Sequence, residues 1–435
     1  MPTFLYIDPG TGSMLFTIIL GLMGGVFYFF RSLKVKLKYN GLGLGRKEKA
    51  RAKVPLVIFS DHKRYWNIFK PICNELEKRG ISTLYLTGSE DDPVLDQNYE
   101  HIKAQYYSLD KTMFQTLNSL EAQIVLSTTP SLDVFQWKRS PGVDYYIHIP
   151  HAASDLSMYR MFGIDYYDAI LLSGKFQEDQ VRSLEALRNL PAKDLRYVGI
   201  PYLDAMKDRL EESSPAAEVS DLSAGDASDT HLTTILVAPS WGQSSLLARF
   251  GEELLDRLTK TGYKIIVRPH PQSFTSEKDM LDRLMTRFPE SPTLSWNRDR
   301  DNFACLAQSD LLISDFSGII FDYCLVFDKP ILYTEVQYDT APYDCWWLEE
   351  EPWTFRVLPR LGRVLTEDNF DRVDEIIEDL LENPSYQDQR DQVRRECWAF
   401  PGQGAVRTVD FIEERLKAQT TPEAEKKEGA SHVLS

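Results

Sequence analysis

Two strand-ending segments in the later half of the chain carry the residues best suited to chemistry. Ile265-Ile266-Val267 runs directly into Arg268-Pro269-His270-Pro271. Two prolines stop strand pairing, so Arg268 and His270 are expected at the carboxyl tip of a strand, where open α/β sheets place their ligands. Arginine supplies a permanent charge for phosphate, and histidine can donate to a phosphate oxygen or a leaving group. The same residues would also serve as a rigid turn with a surface arginine and a capping histidine. Leu311-Leu312-Ile313 ends in Ser314-Asp315-Phe316-Ser317-Gly318 before a helix over 319–326. Backbone N–H groups at that helix start, with Ser314, Ser317 and Gly318 leaving room, form an anion site. Asp315 repels phosphate at close range and is expected to cap the helix or orient a neighbour. Alone, the segment is an N-cap; one βα unit after the Arg-Pro-His-Pro strand, it completes a diphosphate site.

A proton acceptor is expected from the earlier half. Tyr145-Tyr146-Ile147-His148-Ile149-Pro150-His151-Ala152-Ala153 again places polar groups after a strand. His151, past the proline and among small residues, is the candidate general base, since imidazole titrates near working pH. His148 lies within the alternating strand and reads as a packed histidine. Asp299-Arg300-Asp301 has the spacing of a metal-binding DxD, but in a charged run without an apolar strand before it; it reads as a solvated loop, and no metal site is expected. Trp346, Trp347 and Trp353 stand among Asp344 and Glu349 to Glu351, which suits either a hydroxyl-rich ligand face or packing beneath a loop.

Apolar runs alternate with helical spacing along the body. The earlier half has strand-like runs near 54–59, 82–86, 124–127, 144–149, 169–173 and 197–199, with helices over 65–79, 110–120 and through 187. The later half restarts with strands near 234–238, 264–267, 311–314 and 330–333, and a helix over 250–260. Strand followed by helix, repeated, predicts parallel sheets covered on both faces. The expected organisation is a membrane element with a basic collar (1–53), an acceptor-side Rossmann-like domain (54–210), a solvated linker (211–231), a nucleotide-donor domain with C-terminal helices (232–417) and a disordered tail (418–435). Two doubly wound halves of 157 and 186 residues leave a cleft at the carboxyl ends of their strands.

Net charge is −16, but residues 31–53 carry nine Lys/Arg against Glu48, so everything after 53 carries −23. Such a body repels nucleic-acid backbones. Residues 14–30 are uncharged and mostly apolar, a helix of ~25 Å, near the lower limit for spanning a bilayer. Positive charge follows this run rather than preceding it, so it reads as a membrane anchor with the globular domains on the cytoplasmic side and the collar near anionic headgroups; a helix lying in the interface is the alternative. Cys73, Cys305, Cys324, Cys345 and Cys397 show no CxxC spacing and fit buried reduced thiols.

Arg268 to Pro271, Ser314 to Gly318 continuing as Ile319-Ile320-Phe321-Asp322-Tyr323, and Asp328-Lys329-Pro330-Ile331 resemble the signature of the CDP-glycerol glycerophosphotransferase family, which includes teichoic-acid primases and polymerases. Ala238-Pro239-Ser240-Trp241 looks like that family's strand ending in Pro-Thr-Trp, and 386–396 with 402–412 is similar to its closing helices. The likeness covers about 140–415. It implies a GT-B fold, with Arg268, His270, Ser314, Asp315, Ser317, Gly318 and Trp241 around the donor diphosphate. It also implies that the histidine of the family's Trp-His-Gly-Thr segment, here His151 between Pro150 and Ala152-Ala153, is the base. CDP-glycerol or a related CDP-alditol is the implied donor, with no obligatory cofactor; a lipid-linked or polymeric hydroxyl is the acceptor and CMP the product. A GT-B nucleotide-sugar glycosyltransferase and a non-catalytic, membrane-attached polymer-binding protein remain the alternatives.

Overall fold

The computed structural model describes residues 53–213, 232–299, 301–335 and 339–420. The expected membrane helix, nearly all of its basic collar, most of the linker and the tail beyond 420 lie outside the described residues. Among the described residues, no helix is long and apolar enough to cross a membrane.

The earlier half is one parallel sheet of seven strands: β1 (Val54–Ser60), β2 (Thr83–Thr87), β3 (Ile102–Tyr106), β4 (Ala122–Ser127), β5 (Val143–His148), β6 (Ala169–Leu172) and β7 (Asp194–Tyr197), in the order β3-β2-β1-β4-β5-β6-β7. The later half is a parallel sheet of six: β8 (Thr234–Val237), β9 (Lys264–Val267), β10 (Leu294–Trp296), β11 (Leu311–Ser314), β12 (Ile331–Thr334) and β13 (Gly362–Leu365), in the order β10-β9-β8-β11-β12-β13. Central strands are buried on both faces, as β8 (Thr-Ile-Leu-Val) and β11 (Leu-Leu-Ile-Ser) show by having every residue buried. This is why they read as unbroken apolar runs.

Three strands escaped sequence reasoning: β3, β10 and β13. All three are edge strands, and β3 (Ile-Lys-Ala-Gln-Tyr) buries only Ile102. An edge strand packs on one side only and needs no apolar run. The last helix, Gly404–Thr420, also departs from expectation. It runs past 417 and inserts Val409, Phe411 and Ile412 into the core of the first sheet beside the Trp66–Lys78 helix. A chain segment grouped with the later half therefore closes the earlier one. All five cysteines are free and buried.

Buried carboxylates join the halves. Asp155, after β5, accepts N–H bonds from Trp353 (2.8 Å) and Thr354 (2.7 Å) and the Thr354 hydroxyl, capping the Trp353–Leu361 helix of the other half. Asp344 accepts from the Phe162 and Gly163 amides at 2.8 and 3.1 Å, and pairs with Arg188. Asp204, in the Pro201–Ser213 helix that leads toward the linker, accepts from Trp398 Nε1 and the amides of Gly402 and Gly404. Burial raises the pKa of all three above the ordinary carboxylate range. With pKa raised on folding, their ionisation opposes the folded state, so this contribution falls as pH climbs from the ordinary carboxylate range through the raised values; the donated bonds, not bare charge, justify their place inside. Trp353 stacks between Phe176 of one half and Phe321 of the other, so this tryptophan is core and not a ligand face. Gly199, at φ +89°, lets the chain pass the carbonyl of Ala399, which an added Cβ would meet at 2.1 Å.

Asp155→Ala strands two amides and a hydroxyl at a buried helix start. The expected loss is about 2–4 kcal/mol in urea unfolding, with a smaller loss for Asp155→Asn. An unchanged midpoint in both variants would show that this carboxylate does not tie the halves together.

Candidate functional site

In the second sheet, β9 and β11 are the two neighbours of β8, so the order reverses at β8 and the tips of all three face the same edge. Arg268 and Ser314 therefore lie two strand spacings apart, about 10 Å, on one side of the sheet.

Arg268 continues β9 by donating its N–H to Val237 O at 2.8 Å, and its guanidinium donates one bond to Asn297 Oδ1. It is nearly buried but opens on a cavity of about 680 Å³. His270 accepts the Gln272 N–H at Nδ1, 3.1 Å away. That bond puts the neutral ring's proton on Nε2 and leaves it as a donor; His270 is half-buried beside Pro269 and Pro271, which line the cavity, and is not itself in the lining. Its pKa is lowered, first by burial and then by the cations Arg64 and Arg268, while Asp315 and Glu277 oppose the shift. Trp241, half exposed at the tip of β8, lies beside it with ring centroids 6.3 Å apart.

The β11 tip differs from the expected anion nest. Asp315 is fully buried and accepts from the Ser240 amide and hydroxyl at 2.9 and 2.8 Å, from the Leu246 amide at 3.0 Å, and from the Phe316 and Ser317 amides at 2.7 and 3.2 Å. It holds the β8 and β11 loops together and is not a ligand-facing group. The Ser317 amide, expected to be open, is spent on it. Ser314 is likewise buried, its hydroxyl donating to Ala238 O at 2.7 Å. What stays available is the turn at the half-buried Ser317 and exposed Gly318, where a Cβ added to Gly318 would meet nothing within 4 Å, and the amides of Gly318 and Ile319, since those of Ile320 and Phe321 donate to Ser317 O and Gly318 O at 3.1 Å each.

From the first half, His151 follows β5 and is half-buried. Its Nδ1 lies 3.4 Å from the Tyr159 hydroxyl, and that oxygen lies 3.2 Å from Nε2 of the fully buried His148. With the proton on His151 Nδ1 donated to Tyr159, and the Tyr159 hydroxyl donating to His148, the Nε2 lone pair of His151 is free to accept a proton. Burial pushes His148 down to about 3, with the charge of His151 adding to the effect. Burial and then Arg64 push His151 down to about 4. Both rings are thus neutral at neutral pH.

Three features in or beside the cleft were not foreseen. His62-Lys63-Arg64, on the turn after β1, lines the cavity opposite Arg268, Asn297 and Phe303. A pair of basic residues after an apolar strand was the available signal. Asp322 sits at the end of the Tyr202 hydroxyl (2.7 Å) and is pushed up to about 6 by burial. Asp299 and Asp301 also line the cavity, so their loop is part of the cleft and follows the short strand β10. Asp301 pairs with Arg209 and accepts the Phe303 amide, and among the described residues no cluster of His, Cys, Asp or Glu could hold a metal.

The family model for CDP-glycerol:poly(glycerophosphate) glycerophosphotransferase matches residues 165–413, more than half of the chain. That stretch contains Arg268, His270 and the Ser314–Gly318 turn but not His151. No curated protein matches the chain. Among solved structures, a putative UDP-N-acetylglucosamine 2-epimerase from Listeria monocytogenes is 13% identical, with a TM-score of 0.55 over 84% of this chain and 98% of that one. An S. aureus MnaA-UDP co-structure is 14% identical, with a TM-score of 0.52 over 83% and 96%. At such identities the shared property is the fold, a GT-B-like pair of facing parallel-sheet domains.

The depressed histidines make a stability prediction. The unfolded chain binds protons on His148 and His151 near pH 6.5 while the folded protein resists them, so their contribution is complete above 6.5 and lost as pH falls toward 4. Urea midpoints measured from pH 7 to 4.5 should fall less steeply in a His148→Gln/His151→Gln double variant than in the parent.

Proposed function

The chain belongs to the CDP-glycerol:poly(glycerophosphate) glycerophosphotransferase family and is a transferase; from that premise we propose that it moves a glycerophosphoryl group from CDP-glycerol to a hydroxyl of a polymeric or lipid-linked acceptor, releasing CMP. The observation that carries this reading is the placement of a fixed cation and a neutral imidazole N–H at the tip of β9, on the same sheet edge as the open turn at Gly318, with a neutral histidine supplied by the other half.

In the reaction, the acceptor hydroxyl gives its proton to His151 Nε2 as its oxygen bonds to the β-phosphorus. The bond from that phosphorus to the bridging oxygen breaks, and the electron pair leaves on the α-phosphate of CMP. Arg268 and His270 Nε2–H bind the oxygens on which charge accumulates, with the amides of Gly318 and Ile319 as further donors. His151 is a weak base at a pKa of about 4. A bound phosphate would raise that value toward the range in which a base is effective.

The membrane part of the reading rests on the sequence alone: an apolar run followed by nine basic residues suits an acceptor whose head group is presented at an anionic surface.

Purified full-length protein is to be incubated with a lipid-linked or polymeric acceptor and, separately, CDP-glycerol, other CDP-alditols and UDP-sugars. The expected product is CMP from CDP-glycerol. His270→Ala should lower turnover about 10²- to 10³-fold and His151→Ala about 10²- to 10⁴-fold, with unchanged circular dichroism. Release of UDP from a UDP-sugar, without CMP, would replace this reading with a glycosyltransferase.

A further inference from the structure

The position of Arg64 suggests a role that the donor half cannot fill. It stands on the turn that leaves β1, a strand buried at its tip, and its own N–H donates to His62 Nδ1 at 3.1 Å. Its guanidinium lies over the ring of Tyr65, 4.8 Å from the centroid, and Tyr65 in turn packs against His151 at 5.4 Å. The side chain is thereby supported next to the candidate base. It also lines the cavity that Arg268 lines from the other half.

Two of its cationic neighbours in that cavity are neutralised, Lys63 by Asp91 and Arg209 by Asp301, while Lys70, Arg268 and Arg298 line it without an ion pair among the described residues. Arg64 is exposed and forms no ion pair among the described residues. Its charge is felt in both halves, lowering the pKa of His62 and His151 on one side and His270 on the other, with Asp61 the nearby acidic group that it acts upon. An unpaired guanidinium that shares a cavity with Arg268, and lies against the Tyr65 ring that packs on His151, is unfavourable when the cleft is empty. The arrangement becomes favourable once a dianion lies between them.

We propose that Arg64 is a catalytic residue of the acceptor-side half, its guanidinium binding the non-bridging oxygens of the transferring phosphoryl group opposite Arg268. This rests on the glycerophosphoryl-transfer reading above and adds to it a second cation. Charge would then be held from both sides of the cleft, and a productive phosphate site would exist only where the two halves meet.

The test compares the full-length parent with Arg64→Gln and Arg64→Lys, reading CMP release from CDP-glycerol and, independently, calorimetric binding of CDP. Arg64→Gln should lower kcat/KM about 10²- to 10³-fold, mostly in kcat, and weaken CDP binding about tenfold, with an unchanged urea midpoint. Arg64→Lys should recover part of the loss, and added guanidinium ion should partly rescue Arg64→Gln. A kcat/KM within twofold of the parent would overturn the proposal. If the parent itself releases no CMP, the transfer reading fails; CDP affinity then decides the matter for Arg64, and equal affinity in parent and Arg64→Gln overturns it.

Discussion

Buried carboxylates that accept backbone N–H groups from distant segments are the constraint on which the rest of this structure depends. Asp315 gathers five donors from the tips of β8 and β11 and so sets the spacing of the two loops on either side of the switch in strand order. Asp155 and Asp344 join the two halves away from the cleft, and Asp204 anchors the segment that carries the last helix back to the first sheet. Taking a carboxylate out of water costs several kcal/mol unless its lone pairs are occupied, and here they are occupied by amides that would themselves be unsatisfied. Each carboxylate therefore demands its partners, and the partners define how one domain meets the other.

The cleft has the opposite character. Its histidines are neutral because they are half-buried near fixed cations, and its arginines are only partly paired. His270 has its donor face set by the Gln272 amide, and His151 can have its acceptor face set through Tyr159. In the proposed reaction, two imidazoles from two sheets would take opposite roles through local hydrogen bonds, without needing different intrinsic acidities. Packing at the joint and excess positive charge at the mouth are complementary: the first holds the tips in place, and the second makes an anionic ligand the most favourable occupant.

Much of the fold was legible from alternation alone. The central strands announce themselves because both of their faces are covered, whereas β3, β10 and β13, each at an edge, carry too few apolar residues to stand out. Missing β10, which is only Leu-Ser-Trp, hid the strand that precedes Asp299 and Asp301; both stay exposed, and their loop forms part of the cavity lining. Arg268 and His270 were readable because prolines end their strand at the ligand-facing tip. Arg64 was passed over because a basic residue after a strand is a common surface feature, and nothing in its neighbourhood along the chain shows that another domain faces it.

The sequence by itself determined the two doubly wound halves, the strand tips bearing Arg268, His270 and His151, and the membership signature running through Ser314 to Gly318, because these depend on contacts between residues near one another in the chain or on the burial period of single elements. Only the tertiary structure decided that Ser314 and Asp315 are internal, that Ser317 gives up its amide, that the last helix belongs to the first sheet, and that Arg64 opposes Arg268. Ser317 loses its amide to Asp315, two positions away, but Asp315 is buried because Leu246, 69 positions away, donates to it as well, and the Ser314 hydroxyl reaches Ala238 across 76; hydrogen-bond competition between remote segments leaves no period or spacing in the chain to be read.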